Sequence, residues 1–139
     1  MAIEIKLNKG AYMPTKAHLN DAGFDLYTPI DFLIKGRDTA VIDTGVCFKI
    51  PVGYCGVLIS KSGLNVKHDI TSTGLIDSGY QGSIRVKLYN HGDNDYMFNR
   101  GDKISQIVIT PYLYEELCLV EDFNEVTERG VDGFGSSGR

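Results

Sequence analysis

Gly74-Leu75-Ile76-Asp77-Ser78-Gly79-Tyr80-Gln81-Gly82 holds one carboxylate and one aromatic, three residues apart, among three glycines. Glycine reaches backbone angles closed to other residues and lets main chain approach a ligand closely. The segment reads as a tight hairpin or bulge that presents Asp77 and Tyr80 to something small. Its other reading is an ordinary polar turn between strands. Directly downstream, Ile84, Val86 and Leu88 face one way while Arg85, Lys87 and Tyr89 face the other, the period of a half-buried strand.

The same period recurs outward from this turn. Ile3, Ile5 and Leu7 alternate with Glu4 and Lys6, and Val46, Phe48 and Ile50 alternate with Cys47 and Lys49 until Pro51 stops the ladder. Residues 54–60, 104–110 and 117–120 read as further strands, and residues 91–95 as a loop by composition. Helix signals are few: residues 62–67 form at most one turn, started by a serine cap. Sixteen glycines and four prolines, with short apolar runs between turn residues, fit this pattern. The expected fold is one all-β domain of roughly ten strands, a β-barrel of jelly-roll type.

A formal net charge of −4 argues against a general nucleic-acid binder, since phosphate contacts need a basic face. Any anionic substrate must be met by a local cluster of cations. The first ten residues carry Glu4, Lys6 and Lys9 and lack the apolar run of a signal peptide. No apolar stretch approaches the length of a membrane span. Cys47, Cys55 and Cys118 are odd in number and lie in strand-like contexts, which points to buried free thiols in a cytoplasmic protein.

Five short segments stand out from the strands. Asp21-Ala22-Gly23-Phe24-Asp25-Leu26-Tyr27 sets two acids around a glycine. Ser60-Lys61-Ser62-Gly63-Leu64 combines a cation, a hydroxyl and glycine main chain at a helix start, a good receptor for an anion. The third is residues 74–82. Arg100-Gly101-Asp102-Lys103-Ile104-Ser105-Gln106 is a turn feeding a strand that carries a polar Gln106. Arg129-Gly130-Val131-Asp132-Gly133-Phe134-Gly135-Ser136-Ser137-Gly138-Arg139 is a glycine-rich tail with one aromatic. Singly, each also reads as structure: Asp25 as a turn cap, Lys61 as solvated, and the tail as a disordered terminus.

Together and in this order, the five segments resemble the motifs of the trimeric dUTP pyrophosphatases (dUTPases), from residue 21 to the last residue. The resemblance implies a jelly-roll barrel over residues 1–128, assembled as a homotrimer with active sites at subunit boundaries, and a lid over residues 129–139. It implies hydrolysis of dUTP to dUMP and pyrophosphate, with Asp77 activating the water that attacks the α-phosphorus. Main chain at Leu75 and Ile76 would read the uracil edge, and Tyr80 would pack under the deoxyribose and block a 2′-hydroxyl. Lys61, Ser62, Gly63 and Gln106 are assigned to the phosphates. Asp25 is assigned to Mg2+ through its waters, the metal being held mainly by substrate phosphates. Arg129 would neutralise the terminal phosphates, Phe134 would lie over the uracil, and Gly135 and Ser136 would close on the triphosphate. Arg85 matches a position that often contacts substrate.

Two positions depart from the family pattern. Lysine stands at position 61 where arginine is usual, a point charge in place of a bidentate fork. Thr71, in a short hairpin expected between His68 and Gly74, stands where asparagine is usual. A dCTP deaminase of the same fold needs a glutamate in its base pocket, and this chain has none between Glu4 and Glu115. A zinc deaminase is excluded by the lack of Cys-x-x-Cys and by the spacing of His18, His68 and His91. A nucleotide-sensing protein without activity has no need of Asp77, Gln106, Arg129 and Phe134 together. A regulatory protein partner is not readable in these residues.

Overall fold

The computed structural model describes residues 2–138. Nine strands and one short helix follow in chain order: β1 Glu4–Leu7, β2 Gly23–Tyr27, β3 Phe32–Ile34, β4 Thr39–Lys49, β5 Tyr54–Ile59, α1 Ser62–His68, β6 Ile70–Ile76, β7 Ser83–Asn90, β8 Tyr96–Phe98 and β9 Lys103–Pro111. Seven strands form one sheet in the order β1-β4-β7-β6-β5-β9-β2, and β3 pairs with β8 in a separate ribbon. Every pairing is antiparallel.

β6 is the hinge of this sheet. Its first half, Ile70 to Ser72, pairs with β7, while Thr73 to Ile76 pairs with β5. One strand thus belongs to two ladders, which curls the sheet into a half-barrel around one core. The alternation read in β7 is fully realised: Ile84, Val86 and Leu88 are buried without exposure, and Arg85 and Lys87 are exposed. Leu26, Phe98, Ile104 and Ile107 close the core from the other strands. In β4 the register shifts between Asp43 and Cys47, and Gly45 sits there at φ +70. A Cβ at that position would stand 2.9 Å from the Ala11 Cβ, so both the angle and the space call for glycine. Cys47, next to this bulge, is buried although Val46 and Phe48 on either side of it are core residues, because β1 covers its face of the strand.

Several expectations fail for physical reasons. There is no hairpin between His68 and Gly74: α1 ends at Asp69, whose φ of 55 turns the chain directly into β6. Ser62 is the first helical residue and not the cap; Lys61 takes that place, extended and without a side-chain hydrogen bond to the helix. Residues 117–120 form no strand, because no other segment of the same chain lies alongside to complete their ladder. Among the described residues the strands therefore number nine, and Cys118 is exposed, Cys55 half-buried and Cys47 buried. All three are free thiols.

Candidate active site

β9 lies between β2 and β5, and its register places three of the five segments together. Gln106 is opposite Asp25 on one side and Ile59 on the other. Asp25 is only 4% exposed, and both of its oxygens are taken: Oδ1 lies 2.5 Å from Lys61 Nζ and Oδ2 lies 3.2 Å from Lys103 Nζ. A buried carboxylate left without its cation costs about 3–5 kcal/mol, so Asp25 at this depth requires a cationic partner. Asp25 in turn raises the Lys103 ammonium above the usual lysine range, through the hydrogen bond first and the charge second.

Gln106 donates through Nε2 to the Ser60 carbonyl at 3.1 Å. Gly23 makes this possible: a Cβ there would stand 2.4 Å from Gln106 Oε1. A buried hydroxyl network fixes the neighbouring chain. Ser60 Oγ accepts from the Ser72 N–H and donates to the Ser72 carbonyl, and the Ser72 and Ser105 hydroxyls share a bond of 2.7 Å. Asp25, Lys61, Ser62, Lys103 and Gln106 line one cavity of about 440 Å³, with Asp21 at its edge. Gly63 follows Ser62 in the first turn of α1, with open space around it.

Asp77 is elsewhere. With Leu75 and Ser78 it lines a different cavity of about 460 Å³, closed by Cys55 and by Tyr112 to Glu115 of the segment after β9. The two cavities share no lining residue. Asp77 is exposed, its carbonyl accepting from the Tyr80 N–H at 3.1 Å. The Tyr80 hydroxyl donates to the Ser83 carbonyl, which lays the ring on Gly82 so closely that a Cβ there would stand 2.5 Å from the hydroxyl. Neither Gly74 nor Gly82 has a positive φ. Of the two glycine properties expected in this segment, these two use close approach, to Leu58 and to Tyr80, and not unusual backbone angles.

Leu75 is exposed and Ile76 half-buried at the tip of β6. Thr71 lies at the other end of that strand, lines neither cavity, and bonds His91 Nε2 at 2.7 Å. Arg85 is exposed, 4.0 Å from Asp43. In the tail, Arg129 donates to the carbonyls of Asp132 and Gly133, and Phe134 is fully exposed. Gly135 and Ser136 lie in turns whose hydrogen bonds are all local. One chain therefore carries three separate groups: the Asp25–Gln106 cavity, the Asp77 loop and the tail. Lys103 and the serine network were not anticipated as parts of the first group. Lys103 was visible only as a charge in a turn, and its meeting with Asp25 depends on a register that the sequence does not display.

Residues 9–138 match the dUTPase family model. The chain is 40% identical over 133 residues to the deoxyuridine 5'-triphosphate nucleotidohydrolase of Eremothecium gossypii, covering 94% of this chain and 86% of that one. The solved dUTPase of Staphylococcus bacteriophage 80alpha with dUpNHpp superposes with a TM-score of 0.93 at 35% identity, over 99% of both chains. A mutant dUTPase of phage phi11 of S. aureus, described as revealing the coordination of a structural Mg(II) ion, superposes with a TM-score of 0.84 at 30% identity, over 90% of this chain and 100% of that one.

Gly23→Ala tests how the first cavity is built. The added methyl should displace the Gln106 side chain and break its bond to Ser60, at a cost of about 1–3 kcal/mol from overpacking. The side-chain amide resonances of Gln106 should shift while the core methyl resonances of β7 stay in place. An unmoved Gln106 amide would show that Gly23 does not seat it.

Proposed function

The chain belongs to the dUTPase family and hydrolyses dUTP to dUMP and pyrophosphate, and we propose how its own residues divide that reaction. The observation that carries the proposal is the separation of Asp77 from the Asp25–Gln106 cavity. A water-activating acid and an anion receptor in separate cavities of one chain form a working site when the loop of one copy meets the cavity of another. We therefore read the protein as a homotrimer with three equivalent shared sites, closed symmetry satisfying each interface identically. The segment after β9 supports this: Leu113, Leu117, Leu119 and Val126 are all strongly exposed, an apolar arm in want of a second surface.

In this reading, Asp77 accepts a proton from a water as the water oxygen bonds the α-phosphorus. The bond from that phosphorus to the α–β bridging oxygen breaks, and pyrophosphate leaves. Such a positioned base contributes about 10²–10⁴ in rate. Main-chain groups of Leu75 and Ile76 read the uracil edge, and the Tyr80 ring, held flat on Gly82, carries the sugar. Thr71 reaches the base only by exchanging its bond to His91, which makes it the lesser contact. Lys61, Ser62, Gly63 and Gln106 receive the phosphates, with Arg85 at the rim of the loop.

Mg2+ fits this donor set in one manner only. Among the described residues no group of three His, Cys, Asp or Glu side chains is placed to hold a metal directly. Asp25, a single buried carboxylate facing the phosphate cavity, suits a hydrated ion held mainly by substrate oxygens. When bound, the ion neutralises charge on the phosphates. The chain's own part is to keep Asp25 aimed into the cavity, through its contacts with Lys61 and Lys103.

Residues 1–128 form the barrel unit of this proposal and residues 129–139 a lid, Met1 and Arg139 themselves lying outside the described residues. Arg129 exchanges its local carbonyls for terminal phosphates, Phe134 covers the uracil, and Gly135 and Ser136 close on the triphosphate. Closure excludes water other than the attacking one. No helix of the described residues is long and apolar enough to cross a membrane, and the free thiols support a cytoplasmic setting.

Pyrophosphate release measured side by side with dUTP, dCTP, dTTP and UTP should be rapid for dUTP alone; ammonia release from dCTP would overturn the reading. Asp77→Asn should lower kcat by about 10²–10⁴ while dUTP affinity stays within a few fold. A variant retaining more than a tenth of wild-type kcat would mean that another group activates the water. Truncation after Thr127 should leave the melting temperature nearly unchanged yet lower kcat by more than about tenfold. Wild-type turnover by the truncated chain would contradict the lid.

A further inference from the structure

Asp25 has one cation more than its burial needs. One lysine suffices to pair a buried carboxylate, and an ion pair in the interior at best offsets its own desolvation. Here Lys61 and Lys103 each take one oxygen, so the carboxylate is paired twice over and stays paired if one lysine leaves. The other acid of the cavity, Asp21, takes neither lysine as a direct partner: its Oδ2 accepts from the His18 backbone N–H at 2.9 Å, and its charge acts on Lys103 only weakly and from a distance. The Lys103 side chain is 47% exposed against 27% for Lys61 and makes the longer of the two contacts. It is therefore the freer of the two to leave.

Lys103 also stands where a phosphate chain must pass. It lines the same cavity as Ser62 and Gln106, and it starts β9 three residues before Gln106, whereas Lys61 follows β5. The two ammonium groups thus reach the cavity from different strands. A lysine is a point charge on a flexible stem, able to exchange a carboxylate oxygen for a phosphate oxygen without moving its backbone. We propose that Lys103 is a second phosphate-binding cation of the site, parked on Asp25 until the nucleotide's triphosphate takes it over. This rests on the dUTP-hydrolysing reading of the cavity and adds to it the residue that offsets the single point charge at position 61.

The test is binding in the presence of a metal chelator, by calorimetry on the assembled protein. Three probes are used: dUpNHpp, inorganic pyrophosphate and deoxyuridine. Lys103→Gln should weaken dUpNHpp and pyrophosphate about tenfold, as loss of a charge-assisted contact does, and leave deoxyuridine within twofold. Lys103→Arg should recover most of the lost affinity, and both variants should melt near the wild type. Wild-type affinity for pyrophosphate in Lys103→Gln would overturn the proposal and reduce Lys103 to a counter-ion of Asp25. Equal loss for all three probes would overturn it too, as damage to the fold. Should Lys103→Gln not fold, the side-chain ammonium resonance of Lys103 in the wild type decides. It must move on pyrophosphate addition, and an unmoved resonance sinks the idea. Failure of the wild type to turn over dUTP would instead remove the reading on which the proposal stands.

Discussion

The register of β9 between β2 and β5 is the constraint on which the site depends. Asp25, Gln106 and Ile59 are consecutive across three strands, and Lys61 follows directly from the last of them. Side chains alternate along a strand, so a slip of one residue would turn Gln106 into the core and Ile107, fully buried, toward the cavity. The apolar burial of Ile104 and Ile107 and the Ser72–Ser105 hydroxyl pair set that register. The charges at Asp25 then follow from it. Function here rests on packing first and on electrostatics second.

A buried acid clamped by two lysines is a prepared but neutralised receptor. The Asp77 loop is prepared in another manner, through a tyrosine ring fixed on a glycine and a backbone bond across the turn. The apolar arm and the tail, both without partners in the single chain, are the parts that an assembly and a nucleotide would put in order.

Much of this was legible in the sequence where local pattern and packing agree. The alternation of Ile84, Val86 and Leu88 became a buried face, and Asp25, Lys61 and Gln106, from three separate segments, line one cavity. What was not legible depends on long-range pairing. Residues 117–120 have strand composition and no partner within the chain. The expected hairpin before Gly74 gave way to a strand that changes partners midway, because Asp69 makes the turn alone. Lys103 lies inside a segment singled out for other residues, and only the antiparallel register brings it to Asp25. Of the two glycine properties read in residues 74–82, Gly74 and Gly82 use close approach, to Leu58 and Tyr80, and not backbone angle.

The central claim, that one active site draws Asp77 and the Asp25–Gln106 cavity from different chains, is tested most directly by mixing two inactive proteins. Asp77→Asn chains and Ser62→Ala, Gln106→Ala chains are each prepared, denatured together in equal amounts, refolded, and assayed for dUTP turnover. Random assembly into a closed ring pairs an intact loop with an intact cavity in about a quarter of the sites, so about a quarter of wild-type activity should return. A mixture no more active than either parent would contradict the account and place the whole site within one chain.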